Sequence, residues 1–236
     1  MISIEDGFRS AGDASHSERL EKDGFLVVPN VVNDAEWYSL TGHIAALARE
    51  GAGSRTLLDQ EWCVELAQQL RADSKIGDLL PASAVAVQCT LFDKSPDNNW
   101  LVALHQDLSI PVRWRVDSPE CSGWSEKEGQ LYAQPPVRVL EQLVAVRIHI
   151  DDCPAESGAL RMVAKSHVEG RLSRERAEEL QNGEPAVPVS RGGALVMRPL
   201  ILHASSKATS LASRRVLHFV FGPQTLPLGL EWRWAA

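Results

Sequence analysis

The apolar and polar positions follow two rhythms along the chain. The segment SERLEKDGFLVVPNVV predicts a short charged helix stopped at Gly24, then an apolar strand from Phe25 to Val28 ended by Pro29. Asn33 or Asp34 supplies an N-cap, after which Trp37, Leu40, Ile44 and Leu47 recur at helical spacing until Gly51. A second amphipathic helix, from about Gln60 to Ala72, places Trp62, Leu66 and Leu70 on one face. Stripes of this kind face a core and carry no chemistry of their own. The first fifteen residues are polar and read as a flexible lead.

From Ala84 the rhythm shortens. AVAVQCTLF, WLVALHQ, LVAVRIHI, GALRMVA, GGALVM and RRVLHFVF each predict a strand bounded by Gly, Pro, Asp, Asn or Ser. So many short strands after a few helices imply a mainly β fold with flanking α-helices, a sandwich or jelly roll. The interval from Leu108 to Val139 breaks the pattern with Pro, Gly, Trp114, Trp124 and Tyr132, and reads as a lid or binding insert. SRERAEELQNG adds a helix around Ser173 to Gln181, capped by serine and stopped by glycine. There is no internal repeat, and residues 1–236 read as one domain.

Charge narrows the range of partners. Among 236 residues, 24 basic side chains stand against 31 acidic ones, a net charge of −7 with no basic tract. That pattern lacks the footprint of phosphate-backbone binding and disfavours nucleic acid. No apolar run approaches the roughly 18 residues of a spanning helix, and the first residues are acidic where a signal peptide is basic. The reading is a cytoplasmic protein that acts on a small molecule. Cys63, Cys89, Cys121 and Cys153 form no CxxC pair and are expected to be reduced thiols.

The candidate chemistry lies in His105-Gln106-Asp107, at the end of a predicted strand. Residues i and i+2 of a strand share a face, so the imidazole and the carboxylate converge. Two histidines and one carboxylate make the facial set of non-haem Fe(II) oxygenases. His203, after an apolar run and before a polar turn, is the best second histidine. A second HxD, His149-Ile150-Asp151, could also pair with His203, and spacing does not choose between the two.

The order of the surrounding segments does. KDGFLVVPNVV, LHQD, RIHIDD followed by SGALRMVAKSHVEG, LHASS and SRRVLHFVF resemble, over most of the chain, the phytanoyl-CoA dioxygenase family of Fe(II)/2-oxoglutarate oxygenases. Ala164-Lys165 stand where that family usually has proline and glycine, a departure in a turn. The resemblance implies a double-stranded β-helix (cupin-like jelly roll) and makes His105, Asp107 and His203 the iron ligands. It implies Fe(II), 2-oxoglutarate and O2 as cofactor and co-substrates, with succinate and CO2 released as a C–H bond is hydroxylated. Arg214, eleven residues after His203, falls where the family places an arginine for the distal carboxylate of 2-oxoglutarate. A guanidinium suits that carboxylate, and Arg215, pointing to the opposite face, would be a surface or turn residue. Ser205 matches a position that helps hold the same carboxylate, and Gln88 one that contacts the co-substrate in some relatives. In related halogenases a small residue replaces the carboxylate ligand, so Asp107 favours hydroxylation or another oxidation over halogenation.

Other residues have plainer expectations. Lys94 is a weaker co-substrate candidate than Gln88, since a loop lysine is usually solvated; His167 reads as a turn residue or one supporting the ligands, and His218, on the same strand face as Arg214, as facing the barrel or, more simply, as a core histidine near a polar pocket. Arg113, Arg115 and Arg138 could form a local positive pocket, and Trp114, Trp124 and Tyr132 either shape the substrate site or pin the insert. Two other classes fit the same strand pattern: a cupin-like metal enzyme without 2-oxoglutarate, and a non-catalytic jelly-roll binding module.

Overall fold

A computed structural model of the chain describes residues 15–47, 53–181, 183–210 and 212–236. In chain order the elements are α1 (His16–Asp23), β1 (Phe25–Val28), α2 (Asp34–Ala46), β2 (Gly53–Ser54), α3 (Glu61–Ala72), α4 (Ser74–Gly77), β3 (Val85–Lys94), β4 (Val102–His105), β5 (Ile110–Pro111), β6 (Ser122–Lys127), β7 (Gln130–Gln134), α5 (Val137–Leu140), β8 (Val144–His149), β9 (Leu160–Val163), α6 (Arg174–Leu180), β10 (Ala194–Met197), β11 (Leu202–Ser205) and β12 (Arg214–Gly222). The first fourteen residues of the expected lead lie outside the described residues, and the fifteenth, Ser15, is the N-cap of α1. Helix α2 closes at Ala46, short of the expected Gly51, which also lies outside them.

Local chemistry explains the helix ends. Ser15 and Asn33 each accept from the backbone N–H three residues on, while Glu18 and Glu36 reach back to the cap N–H, two complete capping boxes. Gly24 ends α1 at φ 84°, a left-handed conformation that glycine adopts without strain.

The strands form a jelly-roll core of two antiparallel sheets. The larger runs β1-β10-β8-β12-β3-β2 and the smaller β4-β11-β9. Alternation divides the larger sheet: Val144, Val146 and Ile148 of β8 and Leu217, Phe219 and Phe221 of β12 join Leu40, Ile44, Leu66 and Leu70 of the helices in one buried cluster. The intervening residues, Arg147 and His149 of β8 and Arg214 and His218 of β12, are buried on the opposite face.

Two segments depart from expectation. LHASS is not a turn after an apolar run: Leu202–Ser205 is the central strand of the smaller sheet, which places His203 inside a ladder. The insert at 108–139 is not an irregular loop, since β5, β7 and β6 form a third antiparallel sheet in it, followed by α5. Its strands carry too few alternating apolar residues to be seen in the sequence, and Ser122–Lys127 contains almost none.

Candidate metal centre and co-substrate pocket

Strand β4 ends on His105, whose cross-strand partner on β11 is His203. Register thus brings together two histidines nearly a hundred residues apart in sequence. The ring centroids are 4.3 Å apart, and Asp107 follows with its backbone N–H bound to the Pro199 carbonyl at 2.9 Å. One donor atom from each of His105, Asp107 and His203 lies within 4.8 Å of the others.

The histidine tautomers can be read from their partners. Nδ1 of His105 is 2.8 Å from the Ala103 carbonyl oxygen, and Nδ1 of His203 is 2.9 Å from that of Ile201. A carbonyl only accepts, so each Nδ1 carries a proton and each Nε2 presents a bare lone pair. Those Nε2 atoms face the Asp107 oxygens at 3.6 Å and 3.8 Å, too far for hydrogen bonds. Three electron-pair donors converging without protons between them are a set that a divalent cation satisfies.

His218 is different. Arg147 Nη1 donates to its Nδ1 at 2.9 Å, so its proton sits on Nε2, which faces Asp107 Oδ2 at 4.0 Å. It cannot offer that nitrogen to the same metal; it presents an N–H toward the carboxylate. Burial, reinforced by the Arg147 charge, pushes the His218 pKa down to about 3, and burial pushes His203 down to about 4. For His105, burial is outweighed by the contact with Asp107, which raises it above the ordinary value. Burial likewise raises Asp107, but His105, His203 and His218 together hold it well below the usual carboxylate range.

A cavity of about 370 Å³ opens on this cluster, lined among others by Gln88, Arg147, Ser205 and Arg214. Arg214, only 4% exposed, donates from Nη1 to the Gly158 carbonyl at 2.7 Å, and its Nε has no partner among the described residues. Ser205 Oγ donates to the same carbonyl at 2.9 Å. Gly158 sits at φ 73°, and a Cβ there would meet the Ser206 carbonyl oxygen at 2.7 Å and Lys94 Nζ at 3.1 Å. Gly158, which opens the GALRMVA run, is therefore required by space and by backbone. Gln88 donates to Thr90 Oγ1 at 3.1 Å beside the same cavity.

Lys94 is no solvated loop residue. It ends β3 directly opposite Arg214, is 1% exposed, and donates from Nζ to Ser205 Oγ at 3.2 Å and to the Ser206 carbonyl at 2.9 Å. Burial, then the neighbouring Arg214, lowers its pKa to about 8. Arg147 was missed in the sequence, although a lone arginine in the apolar run LVAVRIHI was a usable signal. It lies across the Phe92 ring at 5.2 Å, its Nε has no partner, and burial followed by Arg214 lowers it to about 10.

The second HxD does different work. Asp151 receives Arg215 Nε and Nη2 at 2.8 Å and 2.7 Å and the Arg215 backbone N–H at 2.8 Å. Arg215, expected as a surface or turn residue, is thus a half-buried ion-pair partner. His149 is buried with both ring nitrogens unpartnered, and burial, with Arg147 and Arg214 adding, lowers it to about 3. His167 binds the Glu21 carbonyl through Nε2 at 3.0 Å, away from the cluster.

Within the insert the expected positive pocket does not form. Arg113 pairs with Glu231, Arg138 with Glu120, and Arg115 lies over the Trp124 ring at 5.3 Å; none of the three lines the cavity. Trp114 donates to the Gly229 carbonyl at 3.1 Å and Trp124 packs on the second apolar cluster, so both pin the insert, whereas Tyr132 lines the cavity. The cationic residues that do line it are Arg55, Lys127, Arg147 and Arg214.

Residues 20–216 match the family model described as Phytanoyl-CoA dioxygenase (PhyH). The chain belongs to the phytanoyl-CoA dioxygenase family. Enzymes of the PhyH family use Fe(II), 2-oxoglutarate and O2. Lys165 at φ 69° takes the left-handed conformation that explains why PhyH relatives favour glycine there. Among solved structures, the non-haem α-ketoglutarate-dependent epimerase SnoN from nogalamycin biosynthesis is 16% identical with a TM-score of 0.65, over 89% of this chain and 81% of that one. HygX from Streptomyces hygroscopicus with iron bound is 20% identical with a TM-score of 0.61, over 89% and 86%. The carbocyclase SnoK, also from nogalamycin biosynthesis, is 14% identical with a TM-score of 0.62, over 97% and 90%. At these identities the likeness is one of fold. No curated protein matches the chain. No helix among the described residues is long and apolar enough to cross a membrane, and all four cysteines are free and buried.

Proposed function

We propose that this PhyH-family chain is a single-domain Fe(II)- and 2-oxoglutarate-dependent oxygenase that hydroxylates an unactivated C–H bond of a small molecule in the cytoplasm. The observation that carries this reading is the charge in its interior. Arg147 and Arg214 are buried in the wall of one cavity with Lys94 buried behind Ser205; Asp107 is the nearby carboxylate, and two guanidinium Nε atoms lack partners among the described residues. Buried cations left in that state call for an anionic ligand.

His105, Asp107 and His203 would hold Fe(II) through two Nε2 lone pairs and a carboxylate oxygen. Arg214, with the Ser205 hydroxyl, would bind the distal carboxylate of 2-oxoglutarate, Lys94 adding positive charge behind them and Gln88 a polar wall. Arg147 and His218 would orient Asp107 from the opposite side. The bound metal and co-substrate supply oxidation by O2, with 2-oxoglutarate converted to succinate and CO2. The protein's own part is to fix the ligand tautomers, hold the dianion, and keep water from the cavity floor with apolar residues such as Leu143 and Val220.

Metal and 2-oxoglutarate binding by calorimetry, followed by succinate release in air, tests the class. A cupin-like enzyme without 2-oxoglutarate would bind metal and release no succinate, and a binding module would do neither. Product mass tests the outcome: hydroxylation adds one oxygen atom, ring closure removes two hydrogens, and epimerisation leaves the mass unchanged.

A further inference from the structure

The outer part of the same cavity carries a second cationic feature that neither the metal nor the co-substrate uses. The β6–β7 hairpin closes one side of the mouth. Its last β6 residue, Lys127, has its Nζ 4.7 Å from the centre of the Tyr132 ring, and both side chains line the cavity. Lys127 has no ion-pair partner among the described residues. The adjoining turn residue Glu128 is committed elsewhere: it accepts from the Arg55 backbone N–H at 2.7 Å and from Arg55 Nη1 at 2.6 Å. That pair neutralises Arg55 and anchors the hairpin to the segment after β2, but it leaves the Lys127 charge unanswered. Tyr132 is 2% exposed, and its hydroxyl, sealed from solvent, has no hydrogen-bond partner among the described residues, so what it offers Lys127 is the face of its ring.

A divalent metal and a dianionic co-substrate cancel one another, so filling the inner site does not remove the positive excess at the mouth. An ammonium lying on an aromatic face is held in place by the ring quadrupole, ready for an anion.

We propose that Lys127 and Tyr132 form the substrate-recognition end of the cavity and select a small molecule bearing an oxyanion, a carboxylate or a phosphate monoester. This rests on the oxygenase reading of the inner site and names the substrate class for it. Lys127 supplies the countercharge, and the Tyr132 ring holds its ammonium toward the cavity. The hairpin sets the distance from the anionic group to the metal ligands, and so which carbon is presented for oxidation.

The test uses full-length protein loaded with Ni(II) and 2-oxoglutarate, so that the inner anion site is already filled. It is titrated by calorimetry with hexanoate and hexyl phosphate, and with hexanamide and hexanol as their neutral counterparts. The expected result is that at least one anion binds, at least tenfold tighter than its neutral counterpart. Lys127→Gln removes that preference, Tyr132→Leu, which removes the ring, weakens it several-fold while Tyr132→Phe keeps it, and none of these changes 2-oxoglutarate affinity. Preference for hexanoate assigns a carboxylate substrate, and preference for hexyl phosphate a phosphate ester. Equal binding of anions and neutral counterparts, no binding of either anion, or an anion affinity unmoved by Lys127→Gln overturns the proposal. Failure of the wild type to take up Ni(II) and 2-oxoglutarate at all would instead strike the oxygenase reading.

Discussion

Lys94 and Arg214 are cross-strand neighbours, two buried cations whose positions differ by 120 residues and whose side chains meet through Ser205 and the Gly158 carbonyl. Like charges brought together out of water repel, and the pair persists because a ring of carbonyls and a hydroxyl solvates it. A bound dianion would relieve the repulsion.

That relationship predicts a pH dependence. Lys94 titrates at about 8 in the fold and at its ordinary 10.5 when unfolded. A bound carboxylate favours the charged form, so 2-oxoglutarate should bind tightest below pH 8 and lose affinity as pH rises through that value. The free protein has the opposite trend: charging Lys94 costs the fold, so its stability should increase between pH 8 and 10.5. Calorimetric titration of 2-oxoglutarate from pH 7 to 9.5 tests the first half, and Lys94→Met should flatten the profile while lowering affinity.

The two adjacent arginines should separate cleanly. Arg214→Ala is expected to raise the KM for 2-oxoglutarate at least tenfold, as loss of a charge-assisted anchor implies. Arg215→Ala should leave that KM within twofold and lower stability by roughly 1–2 kcal/mol through loss of the half-buried Asp151 pair. Steady-state kinetics and thermal melting of both variants decide; equal effects on KM would refute the assignment.

Metal uptake distinguishes the two HxD sequences. His105→Ala, Asp107→Ala and His203→Ala should each lose tight Ni(II) or Fe(II) binding, whereas His149→Leu should keep it. Protons and metal compete for the same Nε2 atoms, and His105 is held above the ordinary 6.5, so uptake by the wild type should already weaken as pH falls through 6.5. Equilibrium dialysis with metal analysis is sufficient.

Acid should unfold the metal-free protein through its buried histidines. His149, His203 and His218 titrate at about 3, 4 and 3, far below their ordinary 6.5. Each is neutral in the fold while the unfolded chain takes up its proton, so stability is complete above 6.5 and is lost as pH falls toward 4. Denaturant melts from pH 7.5 to 5 should show this slope, and His149→Leu should reduce it by one proton's worth, about 1.4 kcal/mol per pH unit.

Gln106, between the two ligands, is a further stability test. It is buried, donates to the Gly170 and Leu200 carbonyls at 2.8 Å and 2.6 Å, and accepts from the Leu172 N–H at 2.8 Å. Gln106→Leu leaves those three groups unpaired. It should cost about 2–4 kcal/mol by urea denaturation, and metal affinity should fall because β4 is no longer held against the segment that follows β9.

What the sequence determined was whatever depends on neighbours along the chain. Capping residues and helical stripes located α1, α2 and α3, and alternation located most strands; His105 and Asp107 do converge, but β4 ends on His105 and Asp107 comes to it from the segment beyond the strand. The spacing of segments also indicated the PhyH resemblance, and with it His203, Ser205 and Arg214. The tertiary structure decided what depends on register between strands far apart in sequence. Pairing of β4 with β11 brings the histidines together, and pairing of β12 with β3 buries Lys94 beside Arg214, which no local pattern reveals. The same holds for Arg147, drawn to His218 across two strands, and for Asp151, which turns toward Arg215. The insert's sheet was invisible because short polar strands are stabilised by what they pack upon, and its arginines proved to be surface pairs for the same reason. Local sequence fixes which faces a residue can present; only the closed barrel decides which residues meet there, because burial and charge act through space.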